Sequence, residues 1–230
     1  LKPPSASQPG YAAPSSNHTL PQLPLDRFKE RIGRADSLVI QQVAEMNEVV
    51  LGVESRNKYK IKDGDTMVGY AAEQGSDVGS ILMRQFLGHW RTFSVHVFDA
   101  MRQPLLVATH PFRWFLQRLD ISDASGNYLG AIQQRFAFFH RKFDVLGPQG
   151  TVLASVSTPF WRPWTFGFVR GARELAVLRK KFPGVLEMVT DKDTFQIDFT
   201  EPRLDEHVRL LLLMAALLVD LAYFEKQGGG

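Results

Sequence analysis

A chain of 230 residues, 44% hydrophobic and 22% charged, is long enough for one large domain or two small ones, and its globular composition excludes wholesale disorder. Zero cysteine excludes disulfides, thiolate metal sites, cysteine nucleophiles and S-palmitoylation together, and fits a reducing, intracellular setting. The net charge of +3 conceals a polarity: Arg84 to Lys181 carries 14 Lys/Arg against 5 Asp/Glu, and Phe182 to Glu225 carries 3 against 9.

Leu1 to Leu25 holds six of the thirteen prolines and no apolar periodicity, which predicts a disordered or polyproline-like leader over 1–25. Within it, PQLP at Pro21 to Pro24 has the spacing of an SH3 or WW ligand, and Asn17-His18-Thr19 is formally a glycosylation sequon. The ordered domain is expected over 26–226, with a flexible tail at 227–230. It opens with LDRFKERIG, a short helix capped by Asp26 and stopped by Gly33. Beyond it the pattern turns to β. SLVIQQVA, VVLGVES, NKYKIKD and TMVGYAAEQ are short runs of alternating or β-branched character, divided by turn residues such as DGD at 63–65.

A loose repeat follows. FSVHVFDAMRQPLLVATHPFRWF from Phe93 resembles FDVLGPQGTVLASVSTPFWRPW from Phe143: a strand opening on Phe, a polar turn, a second strand ending in HPF or TPF, then a Trp-bearing segment. The copies close on GAIQQRF at 130–136 and AVLRKKF at 176–182, and a fainter copy runs from YKIKDGDTMVGYAAE to GSILMRQF at 79–86. Four strands per fifty residues predict a mainly β array that closes on itself.

Near the C-terminus, Leu210 to Val219 is an uninterrupted apolar run of ten residues. As a helix it covers about 15 Å, half of the roughly 30 Å of a bilayer's hydrocarbon. Extending it through Asp220 places a carboxylate in lipid at about 2.5–3.5 kcal/mol. Being apolar nearly all round, it is not a surface helix either. It is expected to plug the barrel, with Leu210, Leu213, Met214, Leu217 and Leu218 filling the bore.

LVIQQVAEMNEVVLGVESRNKYKIKD, YAAEQ and especially KKFPGVLEMVTDKDTFQIDFTEPRLDEHVRLLLLMAALLVDLAYFE resemble the phospholipid scramblase family, from about Ser37 to Glu225. The C-terminal block is the most specific: a basic strand, a D-x-D-x-F turn, and an apolar helix broken by one Asp and ending in F-E. The resemblance implies a tubby-like fold, a closed twelve-stranded antiparallel barrel around its C-terminal helix. It also implies calcium-stimulated, ATP-independent, bidirectional movement of phospholipids between bilayer leaflets, by a protein associated with the cytosolic face of a plasma or organelle membrane.

The resemblance further implies calcium at the acidic turn, where Asp191 and Asp193 match the family's paired aspartates and Asp205 a later one. The link before Asp205 is about three residues longer than the family's, so Asp198 and Glu201 stand as substitute ligands. Calcium takes six to eight oxygens, and Asp191 and Asp193, two apart on a strand, project to one side. The turn is no EF-hand: counting from Asp191, the sixth place is Gln196 rather than Gly. The competing assignment makes Asp205 and Glu206 a helix N-terminus and the aspartate pair a solvated turn.

Where many family members carry acylated cysteines, this chain reads PFRWFLQR and PFWRPW. Arg113, Trp114, Phe115, Trp161, Arg162 and Trp164 suit a bilayer interface, the rings among headgroups and the guanidinium groups at phosphate; the alternative packs these aromatics into the barrel. Anionic lipid is thus the expected partner. Walker A, G-x-G-x-x-G, H-E-x-x-H and G-x-S-x-G are all missing, and His89, His96, His110 and His140 are scattered, so no covalent chemistry is expected. Two non-transporting alternatives stay open. One is a tubby-like module that binds anionic headgroups or a protein partner. The other is a nucleic-acid platform on the basic middle region, which has aromatic residues but no recognition motif.

Overall fold

In TFQIDF, Phe195, Ile197 and Phe199 are buried while the residues between them are half-covered, the period-two signature of a strand with one face in a core. The same alternation recurs along the chain. The computed structural model describes residues 23–43, 57–75, 92–111, 115–159, 161–162, 164–181, 193–219 and 221. It contains helix α1 (Pro24–Arg34) and strands β1 (Ser37–Val43), β2 (Lys58–Asp63), β3 (Thr66–Gly75), β4 (Phe93–Asp99), β5 (Pro104–His110) and β6 (Arg118–Asp123). Strands β7 (Tyr128–Arg135), β8 (His140–Leu146), β9 (Val152–Pro159), β10 (Thr165–Arg170), β11 (Arg173–Lys181) and β12 (Thr194–Phe199) follow, then helix α2 (Glu206–Val219).

The twelve strands form a closed antiparallel barrel in which each strand pairs with its sequence neighbours and β1 joins β12 to β2. At that closure the inward residues meet in register, Leu38 with Ile197, Ile40 with Phe195, and Ile40 with Ile61. The four-strand repeat is β4–β7 followed by β8–β11, as the sequence predicts. VVLGVES and GSILMRQF lie outside the described residues.

The connections sort onto two ends. At the turn end, β2–β3, β4–β5, β6–β7, β8–β9 and β10–β11 are joined by tight turns, each with a left-handed residue: Gly64, Arg102, Gly126, Gly150 and Gly171. Each of these hairpins also carries a register shift next to its turn, which adds twist and helps the sheet curl shut. At the other end, the loop end, lie the β5–β6, β7–β8 and β9–β10 connections and the start of β12, where Lys181 pairs with Thr194.

Helix α2 enters from the turn end and fills the bore. Its fourteen residues span about 21 Å, matching a wall of six- to ten-residue strands. Leu210, Leu213, Met214 and Leu217 are buried, Met214 to 0% exposure, and Leu218 packs partly buried against the same core. Gly130 marks how close the wall comes: a Cβ there would lie 2.3 Å from the Leu146 carbonyl oxygen and 3.0 Å from Leu211 Cδ1. The outward faces of the strands carry Lys60, Lys62, Asp144 and Asp198. A barrel spanning lipid has the opposite arrangement, with an apolar band outside. Among the described residues no helix is long and apolar enough to cross a membrane.

Helix α1 closes the turn end, burying Phe28 and Ile32, one turn apart, against α2 and the β4–β5 side. It differs from expectation at both ends. Pro24 opens it, with Leu23 at the N-cap and Asp26 in the first turn, because a proline's fixed φ and missing N–H cost nothing at the first helical position. It runs on through Gly33 to Arg34. Pro24 is therefore helical, so the last residue of PQLP is not part of a polyproline stretch.

Candidate functional site

The loop end concentrates exposed aromatic side chains. Phe115 is 83% exposed in the β5–β6 connection and Trp161 is 72% exposed in the β9–β10 connection, beside exposed Arg162. Between them the β7–β8 connection presents Phe136, Phe138 and Phe139 at 72%, 78% and 72% exposure. Register ties these connections to neighbouring strand ends: Arg118 faces Gln133, Arg135 faces Lys142, and His140 faces Pro159. The rings of His140 and Trp161 approach to 6.1 Å between centroids.

Of the expected interface residues, Phe115, Trp161 and Arg162 are thus at the surface, while Arg113 and Trp114 lie outside the described residues. Trp164 differs. It packs half-buried against the core, with Lys180 Nζ 5.0 Å from its ring centroid. Position explains the change: Trp164 directly precedes β10, and its carbonyl accepts from Lys180 N, which extends the β10–β11 ladder and holds the residue against the wall.

The acidic residues do not gather. Asp193, at the loop end, pairs with Lys180 Nζ at 2.5 Å. Asp198 lies five residues further along β12, about 16 Å away on an extended chain, and pairs with Arg179 at 2.5 Å and with the Gln196 amide. Glu201 pairs with Arg173 at 2.6 Å. Asp205 Oδ1 accepts from the His207 and Val208 N–H groups at 2.9 and 3.2 Å, the geometry of an N-cap. Because β12 spans the barrel wall, it carries Asp193 to one end and Glu201 and Asp205 to the other. Asp191 lies outside the described residues, and among those described no three His, Asp or Glu side chains could hold a metal ion together.

Two shifted titratable groups, His96 and Asp123, lie away from these acidic residues. Burial lowers the His96 imidazole. Burial also acts to raise the Asp123 carboxyl, but hydrogen bonds from the Asn127 side chain and from the backbone N–H groups of Asn127, Ser125 and Gly126 outweigh it and hold the group low. Neither joins a nucleophile or a second acid in a cleft.

Residues 16–226 match the family described as Scramblase. The chain belongs to the scramblase family. It is 28% identical over 189 residues to a phospholipid scramblase family protein of Schizosaccharomyces pombe, covering 77% of this chain and 50% of that protein. It is 27% identical to phospholipid scramblase 1 of Homo sapiens, over 86% of this chain and 66% of the relative. Phospholipid scramblase family member 5 of Homo sapiens is 25% identical, over 99% of this chain and 90% of its own length. The chain therefore spans between half and two thirds of the first two relatives. No solved structure matches it significantly.

In this scramblase-family barrel the expectation that reasoning from sequence missed is the β7–β8 connection. RFAFFHRK carried a usable signal: three phenylalanines in four residues, bracketed by cations. Chemically the loop end can offer apolar rings and guanidinium or ammonium groups side by side, which is what a headgroup layer over hydrocarbon accepts.

Proposed function

We propose that this scramblase-family protein works on phospholipid bilayers from their surface, docked by the loop end of its barrel, and lets phospholipids pass in both directions between leaflets without ATP. The observation that carries the reading is the contrast between the two apolar features. Met214 and its helix are sheathed by the wall, whereas Phe115 and Trp161 stand in solvent, Trp161 next to exposed Arg162. Burying a ring of that size from water is worth about 1.5–3 kcal/mol, so two or three rings with basic neighbours suffice for reversible attachment to anionic lipid. The lipid path is a locally thinned or disordered bilayer beside the docked barrel. In this reading the protein sits on the cytosolic face of its membrane, consistent with a chain free of cysteine.

Calcium enters this reading at the loop end alone, through Asp193 and its sequence neighbour Asp191. A cation there offsets acidic charge at the loop end and so eases approach to anionic lipid. The names of the relatives support phospholipid as the substrate class.

The test is a reconstituted-vesicle assay with a fluorescent lipid in both leaflets and a reductant that bleaches only the outer one. Faster and more complete bleaching with protein, enhanced by calcium and unaffected by ATP, is the expected result. A second reading has its own support: because α2 is enclosed it offers no path through lipid, as in a module that binds headgroups and moves nothing. Vesicle binding with bleaching unchanged from protein-free vesicles assigns the protein to that class.

A further inference from the structure

The β7–β8 connection is more than an exposed apolar loop. Phe136 and Phe138 meet edge to face with centroids 5.0 Å apart, so the rings are held as a unit, while Ala137 between them is half-buried and anchors the loop. Phe136 itself borders a cleft of about 130 Å³, lined also by Leu116, Gln134, Arg135, His140, Arg141 and Lys142. Arg135 and Lys142 are directly opposite each other on the antiparallel pair, where like charges are destabilising. Asp144 reaches Arg135 Nε at 3.3 Å, but among the described residues Lys142 has no carboxylate partner. An anion seated over this pair of side chains offsets that repulsion.

We propose that this cleft binds the phosphate of an anionic phospholipid headgroup while Phe136, Phe138 and Phe139 enter the acyl boundary around it. Charge complementarity and position select this occupant. Arg135 directly precedes Phe136 and pairs across the strands with Lys142, so a ligand that satisfies both cations and rings is anionic at one level and apolar just beyond it, which is the profile of a lipid in a bilayer. The inference rests on the proposed bilayer-surface function and names the element that performs the docking.

Flotation of the full chain with phosphatidylcholine vesicles, with and without 20 mol% phosphatidylserine (about a fifth of the lipid, enough for a negative surface potential), tests it. Three variants accompany the parent: a triple Phe136→Ser/Phe138→Ser/Phe139→Ser, a double Arg135→Gln/Lys142→Gln, and Met101→Ser at the turn end as control. The parent is expected to float with the anionic vesicles. The triple variant is expected to lose binding by about tenfold or more for each ring removed, and the double by roughly thirtyfold on anionic vesicles with no change on neutral ones. Met101→Ser is expected to bind as the parent does. Matching circular dichroism and melting curves show that the variants fold.

Parent-like binding by the triple variant overturns the inference while leaving surface docking intact. Parent-like binding by the double variant overturns the phosphate assignment. No flotation of the parent with either vesicle overturns the surface-docking reading itself, and the inference with it. If a single-stranded oligonucleotide displaces the parent from vesicles and binds the double variant more weakly, the cleft belongs to nucleic acid and the proposal fails.

Discussion

Arg209, buried in the first turn of α2, donates from Nη1 to the carbonyl of Ala35 at 2.5 Å, across 174 residues of sequence. The same nitrogen reaches the Ile32 carbonyl at 3.4 Å, Nε reaches Leu204 at 3.3 Å, and the guanidinium lies 4.5 Å over the Phe199 ring. No carboxylate is among these partners; the cation is spent on carbonyls at the end of α1, where Ile32 O also accepts from Ala35 N, and on the link into α2. Burial lowers its pKa, opposed by Asp36 and Glu206, but a guanidinium stays charged at any ordinary pH. This one side chain therefore fastens the cap of the barrel to its plug.

Arg209→Met keeps the apolar stem and removes the guanidinium from the Ala35 and Leu204 carbonyls. It is expected to cost about 2–4 kcal/mol in urea unfolding, the penalty of losing charge-assisted bonds to buried acceptors. Hydrogen exchange separates this role from general packing: amides of α1 are expected to lose protection well before those of β4–β9. Uniform loss over the whole chain, or none in α1, contradicts the fastening role.

Gly130 has φ +151° and lies against both wall and plug. Gly130→Ala drives a methyl group toward the Leu146 carbonyl and Leu211 in a backbone conformation that alanine avoids. Overpacking of this kind costs about 1–3 kcal/mol before the backbone term is added. A loss of at least about 2 kcal/mol in stability is expected, and it is expected to be smaller when Leu211→Ala is combined with it. Simple additivity of the two changes rules out the contact as the cause.

Of the five tight turns, four have glycine at the left-handed position and the β4–β5 turn has Arg102, at φ 66°. Strain there is about 1–2 kcal/mol for a residue with a Cβ, against about 0.5–1 kcal/mol of extra chain entropy for glycine. Arg102→Gly is thus expected to stabilise the protein by up to about 1 kcal/mol, measured as a raised urea midpoint. An unchanged or lowered midpoint shows that the turn has relaxed around the arginine.

The hairpin repeat also sets a pH dependence. Asp99 and Asp123 play the same part in successive turns, each Oδ1 accepting N–H groups two and four residues ahead. Asp123 is held below its ordinary value, so it binds its proton more weakly folded than unfolded. Its contribution is complete above the unfolded value of about 3.9 and is lost as pH falls through the folded one. The stability gap between the parent and Asp123→Asn is expected to narrow from pH 5 to pH 3 (about one unit either side of that value). A gap that is constant or widens on acidification contradicts the assignment.

How far the sequence discloses all this depends on range. Alternation in β1, β4 and β12, and the paired blocks from Phe93 and Phe143, are local or short-period patterns, and they predict the strands and the closed wall. The run Leu210–Val219 predicts its own burial because no other environment suits it. What needs three dimensions is which end each residue reaches. Asp193 and Asp205 are twelve positions apart and look like one cluster, yet β12 separates them by the height of the wall. Phe136, Phe138 and Phe139 look like core because aromatic residues usually are, and only a short connection between two registered strands turns them outward. Trp164 errs the other way, since the ladder continues one residue past the expected tip.

The proposed calcium binding at the loop end has a spectroscopic handle. Lys180 Nζ is shared between the Asp193 carboxylate at 2.5 Å and the faces of Trp164 and Phe195, at 5.0 and 5.9 Å from their centroids. A calcium ion taking Asp193 as ligand competes with the ammonium for the same oxygens and repels it, so the cation over the indole must move. Titration with calcium is therefore expected to change the tryptophan emission, with a midpoint in the 0.1–1 mM range (on the order of weak extracellular-type sites). Trp164→Phe is expected to remove most of the change, and Asp193→Asn to move the midpoint upward by about tenfold or abolish it. Magnesium at equal concentration, which dehydrates reluctantly and demands a stricter octahedron, is expected to give little response. If emission stays flat to about 10 mM calcium, ten times the weak end of that range, or responds equally in Asp193→Asn, the cation does not use this carboxylate.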